Sequence, residues 1–220
     1  PCPMPPMPPP KLPYEPIPPP MPPPWITRRK KLSPPTTVVS VVDSSVGGKT
    51  GVNTPEGKNL LGCFHQPRLV LADVDTLSTL PEREFNEGFA EIIKHAAIRD
   101  EAMMESIERL PGEEAGGRTA ALVALVARNV AIKAAIVAAD EHETVGLRAL
   151  LNFGHTIGHG IEASAGYGQL LHGEAISLGL VAALRISEEV AGLDAGATEK
   201  VIALLRRYEL PLRLPASITT

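Results

Sequence analysis

The pattern of hydrophobic and polar residues changes near residue 80. After Pro81, alanine and leucine recur at the spacing of helix faces, which predicts an α-helical domain over residues 81–220. The longest predicted helices cover residues 120–139, 175–190 and 197–208. Before Pro81, the β-branched run 36–42 predicts a short buried strand and the run 68–73 predicts another short strand. Two strands form no independent sheet, so we expect residues 36–80 to be a remnant of an α/β layer in a mainly α chain.

Residues 1–35 differ in composition from the rest of the chain. Most of the 23 prolines lie here, and proline suits neither a helix interior nor a central strand, so we expect a polyproline II or disordered tail. The PxxP repeats, followed by basic residues at 28–31, are also typical of a ligand for an SH3-like partner. Linkers of this composition are commoner than such ligands.

Charge, hydropathy and cysteine content exclude several functions. A net charge of -4, without clustered cations in the core, argues against a general nucleic-acid-binding protein. The apolar stretch 122–139 is interrupted by Arg128, Asn129 and Lys133, which favours a packed helix over a membrane span. No secretory signal is visible and the two cysteines form no disulfide framework. We therefore expect a reducing compartment, the cytoplasm, with a plastid as the alternative.

The segment NFGHTIGH carries the strongest chemical signal. If it is helical, His155 and His159 lie four residues apart on one face, where two imidazoles can bind one metal ion or divide the roles of ligand and base. His172 follows, and Glu91 could add a carboxylate to a zinc site with an open position. Such histidine pairs are more often packed or surface residues, but Gly158 and its neighbouring glycines favour a ligand or a close backbone.

Residues 43–62 form a second candidate region. They are rich in glycine, serine, threonine and lysine, which predicts a loop whose backbone amides and lysines hold anionic oxygen. Phosphate is one such ligand, although the spacing differs from that of a P-loop.

Four longer motifs occur in the order of a known family. They read VVDSSVGGKTGVNTPEGKNLLGCFHQP, LPEREFNEGFAEIIKHAAI, LRALLNFGHTIGHGIEA and LLHGEAISLGL. Together they resemble the 3-dehydroquinate synthases over residues 36–214. The resemblance implies an N-terminal NAD-binding α/β domain joined to a C-terminal helical domain, with zinc and the active site between them. It also implies conversion of 3-deoxy-D-arabino-heptulosonate 7-phosphate into 3-dehydroquinate and phosphate in the shikimate pathway, with NAD regenerated in each turnover.

The resemblance further implies roles for individual residues. Glu91, His155 and His172 would bind Zn²⁺ or Co²⁺, and His159 and Glu143 would transfer protons. The substrate would contact these metal ligands and also Asp43, Lys49, Asn59, Lys94, Lys133, Arg148 and Asn152. NAD would contact Thr36, Thr37, Lys58, Thr76, Leu77, Ser78 and Thr79.

The chain departs from the family pattern at several points. The nucleotide-binding glycines of the family would precede Thr36, where this chain has the proline-rich tail, and Glu87 adds an acid where the family requires none. One alternative is therefore an inactive, truncated remnant or an interaction protein. Another is a related sugar-phosphate cyclase or a metal-dependent polyol dehydrogenase. Membership of the family would also imply a homodimer.

Overall fold

Helices dominate the computed structural model, which describes residues 34–54, 57–112, 114–166, 168–216 and 218. In chain order they are α1 (Glu82–Glu87), α2 (Phe89–Arg99), α3 (Ala102–Arg109), α4 (Ala115–Ala139), α5 (His155–Ala165), α6 (His172–Ala191) and α7 (Ala195–Arg207). Turns of π- or 3₁₀-helix cover Ser40–Ser44, Val74–Thr79, Leu110–Gly112 and Leu147–Asn152. Strands β1 (Val52–Thr54) and β2 (Gly57–Leu61) pair antiparallel. The predicted mainly α fold is confirmed, and the predicted tail lies outside the described residues except at 34 and 35.

The first predicted strand, at 36–42, is wrong, because this segment is helical from residue 38. Thr37 and Ser40 exchange backbone and side-chain hydrogen bonds of 2.8 to 3.1 Å, and these close a turn. The valines that this turn buries completely are Val38, Val41 and Val42. Their i, i+3, i+4 spacing places them on one helix face, so burial against the core outweighs the strand preference of β-branched residues.

The second predicted strand, at 68–73, is also wrong. Its segment is irregular, and Leu69 and Leu71 are 80% and 65% exposed. An extended segment becomes a strand only when a neighbouring strand pairs with its backbone. The hairpin of β1 and β2 forms instead inside the predicted glycine- and lysine-rich loop, where a bridge between Lys49 and Phe64 continues it.

Helix α2 lies at the centre of the hydrophobic core. Phe89, Ile92 and Ile93 are fully buried, and the Phe89 ring stacks on Tyr208 with 3.9 Å between ring centroids. The Tyr208 hydroxyl donates a hydrogen bond of 2.7 Å to the carbonyl oxygen of Ile107. Each such side chain contributes about 1.5–3 kcal/mol on full burial, so α2 is a firm support for the polar residues that it also carries.

Glycines allow α5 and α6 to pack closely. A Cβ atom on Gly179 would lie 2.0 Å from the carbonyl oxygen of Gly154 and 2.7 Å from the nitrogen of Gly158. Any side chain at residue 179 would therefore push the two helices apart. Their close packing brings together the two helix N-termini, which begin at His155 and His172.

Helix α4 is long and apolar enough to cross a membrane over Gly117–Ala139, judged by length and composition alone. Its polar residues nevertheless make contacts inside the fold. Asn129 Oδ1 lies 2.9 Å from Nδ1 of His95, and Lys133 Nζ donates to the backbone oxygen of Asp43 at 2.6 Å. All of these groups except Asp43 are buried, which agrees with the prediction of a packed helix.

Candidate metal centre and active site

Three helices each supply one potential metal ligand. Glu91 comes from α2, while His155 and His172 are the first residues of α5 and α6. Nε2 of His155 lies 3.3 Å and Nε2 of His172 lies 3.5 Å from Oε1 of Glu91. The ligand atoms lie within 4.8 Å of one another, so the predicted ligand set is brought together by the fold.

Glu91 is suited to bind a cation with one of its oxygens. Its Oε1 is fully buried and has no hydrogen-bond partner among the described residues, whereas its Oε2 accepts a hydrogen bond of 2.5 Å from Lys94. Burial opposes the charge of Glu91, but the Lys94 ammonium and the imidazoles of His155 and His172 hold the pKa of Glu91 well below its ordinary value. One carboxylate and two imidazoles are the donor set of a zinc site that keeps a position open, so these residues fit zinc.

Glu162 is a site residue that the sequence prediction missed. It lies on α5, and its Oε2 is 3.7 Å from Nδ1 of His172. Burial lowers the pKa of His172, but Glu91 and Glu162 outweigh it and raise that pKa. A carboxylate that accepts the far N–H of a metal-binding imidazole fixes the ring and its tautomer, whereas Glu162, at 3.7 Å, acts on His172 through its charge. Helical spacing in the sequence could have identified Glu162, because residues 155, 159 and 162 share one helix face.

Asp43 and Lys133 form a second buried ion pair beside the triad. Lys133 Nζ lies 2.5 Å from Oδ1 of Asp43, and the lysine side chain is 9% exposed. Burial lowers the pKa of Lys133 although Asp43 opposes this shift. Asp43 belongs to the helical turn that replaces the predicted strand, so this turn delivers the carboxylate to the site.

Asp140 orders the loop that leads to Arg148. Its carboxylate accepts backbone hydrogen bonds from Thr144, Val145 and Arg148 at 2.8, 3.2 and 3.0 Å. The hydrogen bond from Arg148 contributes most to a lowered pKa of Asp140. The buried Arg148 guanidinium then reaches the backbone oxygen of Gly47 at 2.8 Å, and this contact joins the loop to the segment before β1. The sequence prediction did not single out Asp140.

Glu143 is held in a strained position on the same loop. Its φ of 57° lies in the left-handed region, which costs a residue other than glycine about 1–3 kcal/mol. Its carboxylate pairs with the Lys49 ammonium and lies 3.4 Å from Nε of Arg148. Both cations therefore compensate the charge of Glu143 at the mouth of the cavity.

A cavity of about 770 Å³ opens beside the triad. The predicted site residues that line it are Asp43, Lys49, Lys94, Lys133, Glu143, Arg148, Asn152, His155, His159 and His172. Phe64 and Leu151 contribute apolar surface to the cavity lining. Asn59 lies in β2, but its side chain falls outside the described part of the chain, so its predicted contact with substrate stays a prediction.

The predicted NAD contacts whose side chains are described do not line this cavity. Leu77 is 1% exposed and belongs to the hydrophobic core, and the hydroxyl groups within residues 76–79 donate to carbonyl oxygens of their own turn at 2.6 to 2.7 Å. In the described part of the chain, neither these residues nor Thr36 and Thr37 line the cavity. The side chain of Lys58 is not described. The role of this set in NAD binding stays a prediction.

His95 is a buried histidine next to the candidate site. Its Nδ1 lies 2.9 Å from Oδ1 of Asn129, and its Nε2 is buried without a hydrogen-bond partner among the described residues. Burial, assisted by the nearby Lys94 ammonium, lowers the pKa of His95 from 6.5 to about 4. The imidazole is therefore neutral in the folded chain at neutral pH.

We expect the free energy of unfolding to fall as the pH drops from 6.5 to about 4, because the unfolded chain binds a proton at His95 that the folded chain excludes. The loss from this group is about 3 kcal/mol. Urea unfolding of the metal-free chain and of His95→Gln, from pH 7 to pH 4, measures the difference. The substituted amide can still donate to Asn129, and two parallel pH profiles would contradict the expectation.

Solved structures share this fold. One is ValA, a 2-epi-5-epi-valiolone synthase from Streptomyces hygroscopicus subsp. jinggangensis with NAD⁺ and Zn²⁺ bound. It superposes with a TM-score of 0.74 at 30% identity over 84% of this chain and 51% of that one. A 2-deoxy-scyllo-inosose synthase complexed with carbaglucose-6-phosphate, NAD⁺ and Co²⁺ has a TM-score of 0.68 at 25% identity, over 85% and 50% of the two chains. The chain therefore shares the fold of about half of each of these two synthases.

Sequence comparison identifies the family. Residues 29–87 match the profile of the 3-dehydroquinate synthase N-terminal region, and residues 88–220 match that of its C-terminal region. The chain belongs to the 3-dehydroquinate synthase family, as predicted. The enzyme of Symbiobacterium thermophilum is 50% identical over 182 residues, and that of Pelobacter propionicus is 51% identical over 177. These matches cover 82% and 80% of this chain but 50% and 49% of the relatives, so the chain spans about half their length.

Proposed function

We propose that the chain carries the metal-binding and substrate-binding half of a 3-dehydroquinate synthase, which forms 3-dehydroquinate and phosphate from 3-deoxy-D-arabino-heptulosonate 7-phosphate. The observation that carries the proposal is the convergence of Glu91, His155 and His172 beside a cavity lined by lysine and arginine. Ammonium and guanidinium groups bind carboxylate and phosphate, which suits a doubly anionic sugar phosphate. The relatives of about 50% identity carry this enzyme name.

His159 is proposed as the base. It is exposed and lines the cavity, and its ring centroid lies 5.3 Å from that of His155 and 5.8 Å from that of His172. When bound by Glu91 and the two histidines, zinc would polarise a substrate hydroxyl and make its proton easier to remove. A neutral imidazole accepts such a proton at a ring nitrogen near neutral pH. Glu143 is proposed as a second group for proton transfer.

The remaining polar residues are proposed to bind the substrate. Lys94 and Lys133 are already paired with Glu91 and Asp43, so a bound phosphate or carboxylate would share their ammonium groups with these carboxylates. Asp43 is then free to accept a hydrogen bond from a substrate hydroxyl. The other proposed contacts are Lys49, Asn59, Arg148 and Asn152.

We assign residues 36–80 to the end of the NAD-binding domain and residues 81–220 to the metal and substrate domain. Two related structures contain NAD⁺, and the chain spans about half the length of its relatives. Most contacts to NAD would therefore come from the other half of such an enzyme, with Thr36, Thr37, Lys58 and residues 76–79 adding the rest. We expect turnover when that half is supplied, and a homodimer as the active assembly.

His155→Ala is expected to abolish zinc retention, because a metal ligand is lost. His159→Ala is expected to retain zinc and to lower turnover about 100-fold or more, because a general base is lost. Zinc content is measured on the purified chain and its variants. Phosphate release from the heptulosonate phosphate is then followed with NAD, in the presence of the N-terminal half of the Symbiobacterium thermophilum relative.

The results of these experiments distinguish a functional synthase half from an inactive remnant and from a related cyclase. Equal loss of zinc in both variants would contradict the division between ligand and base. Zinc binding without phosphate release, even with the N-terminal half present, would favour an inactive remnant. Turnover of a different sugar phosphate alone would favour one of the related cyclases that share the fold.

A further inference from the structure

Glu87, the acid that the family pattern does not require, contacts the helix that begins at His172. It is the last residue of α1, and its Oε2 accepts a hydrogen bond of 2.8 Å from the backbone nitrogen of Gly173. The two backbones also touch, because a Cβ atom on Gly173 would lie 1.9 Å from the carbonyl oxygen of Glu87. The end of α1 and the first turn of α6 are thus held together at the residue that follows a candidate ligand.

The hydrogen bond satisfies a group that the helix itself cannot satisfy. The first backbone N–H groups of a helix have no partner within the helix, and a carboxylate near them is also favoured by the helix dipole. A second carboxylate acts in the same way at the residue before α6, where Oε2 of Glu174 accepts a hydrogen bond of 2.8 Å from the backbone nitrogen of Leu171. Arg83 of α1 in turn donates a hydrogen bond of 2.6 Å to Glu174. Two side chains of α1 therefore fix the start of α6.

The start of α6 is the part of this helix that matters for metal binding. His172 is its first residue, with Nε2 3.5 Å from Oε1 of Glu91 and Nδ1 3.7 Å from Oε2 of Glu162. The rest of α6 is held by buried apolar residues, which include Ile176, Leu180 and Leu184. Loss of the Glu87 contact would therefore loosen the first turn and leave the later turns in place.

We propose that Glu87 is a positioning residue, which fixes the backbone of His172 through the Gly173 amide so that the imidazole is preorganised for the metal. This inference rests on the proposed zinc centre. The carboxylate of Glu162 lies 3.7 Å from the other ring nitrogen of the same imidazole. Residues that orient a metal ligand typically change metal affinity 10- to 100-fold when they are removed.

The test uses zinc affinity of the metal-free chain, measured by competition with a chromophoric chelator. Glu87→Ala is expected to weaken zinc binding about 10-fold or more. Glu87→Gln keeps an oxygen that accepts from Gly173 and is expected to restore affinity to within about threefold of the original chain. The matched control is Glu82→Ala, an exposed acid on the same helix, and it should leave affinity unchanged.

Hydrogen exchange of the same metal-free proteins gives a readout that does not depend on zinc. Glu87→Ala should accelerate exchange at residues 173–175 and leave residues 178–184 protected. Unchanged affinity, unchanged exchange at 173–175, or faster exchange along all of α6 would each overturn the proposal. If Glu87→Gln binds zinc as weakly as Glu87→Ala, charge rather than the hydrogen bond is responsible, and the proposed mechanism fails. If the original chain binds no zinc, the proposed zinc centre is contradicted. The hydrogen-exchange data would still show whether the contact of Glu87 with Gly173 stabilises the first turn of α6.

Discussion

Glu91→Ala is expected to lower the free energy of unfolding of the metal-free chain by about 3–5 kcal/mol. The side chain of Glu91 is 0% exposed and that of its partner Lys94 is 1% exposed, and they lie 2.5 Å apart. Removal of the carboxylate leaves a buried ammonium without its counter-charge, which is far more costly than loss of an exposed pair. Urea unfolding at pH 7 measures the change. Glu91→Ala would therefore lose zinc both because a ligand is missing and because the fold is less stable. His155→Ala is the better test of metal ligation.

Two further variants isolate the buried charge. Glu91→Gln combined with Lys94→Met removes both charges and is expected to recover most of the lost stability. Glu105→Ala removes an acid from the exposed Glu105–Arg109 pair of α3 and should have a much smaller effect. A loss below about 1 kcal/mol for Glu91→Ala, or no recovery in the double variant, would contradict the assignment of this pair as a buried ion pair.

Gly179→Ala is expected to lower the free energy of unfolding by about 3 kcal/mol or more, because the new methyl group meets backbone atoms that cannot rotate away. The added Cβ would lie 2.0 Å from the oxygen of Gly154, so α5 and α6 must separate by about 1.5 Å to reach an ordinary contact. This separation moves His155 away from His172, and zinc affinity should fall with stability. Both quantities are measured on the purified variant, by urea unfolding and by chelator competition.

Gly160→Ala provides the matched control on α5. No atom lies within 4 Å of a Cβ built on Gly160, and the residue is exposed within the helix. Alanine is favoured over glycine in a helix by about 0.5–1 kcal/mol, so this variant should be as stable as the original chain or more stable. If Gly179→Ala behaves in the same way, the close packing of α5 and α6 does not depend on this glycine.

Local pattern predicted most of the helices and the spacing of the histidines. The helices after Pro81 form where alanine and leucine recur, and the segment after Phe153 is helical, so His155 and His159 lie on one face as expected. The two predicted strands failed for one shared reason. A β-branched or extended segment has no fixed structure until a neighbour either pairs with its backbone or buries one of its faces, and that neighbour is not encoded in the segment itself.

Sequence alone determined the family and the mainly α fold, and it predicted the residues of the candidate metal centre, because these follow from residue identity and from short-range spacing. Tertiary structure alone decided which distant polar groups meet: Lys133 with Asp43, and the Glu87 carboxylate with the Gly173 amide. These pairings depend on how helices distant in the chain pack against one another. These pairings are selected by how closely helix backbones approach one another at glycines and by which polar groups become buried. Neither property can be read from a local pattern of residues.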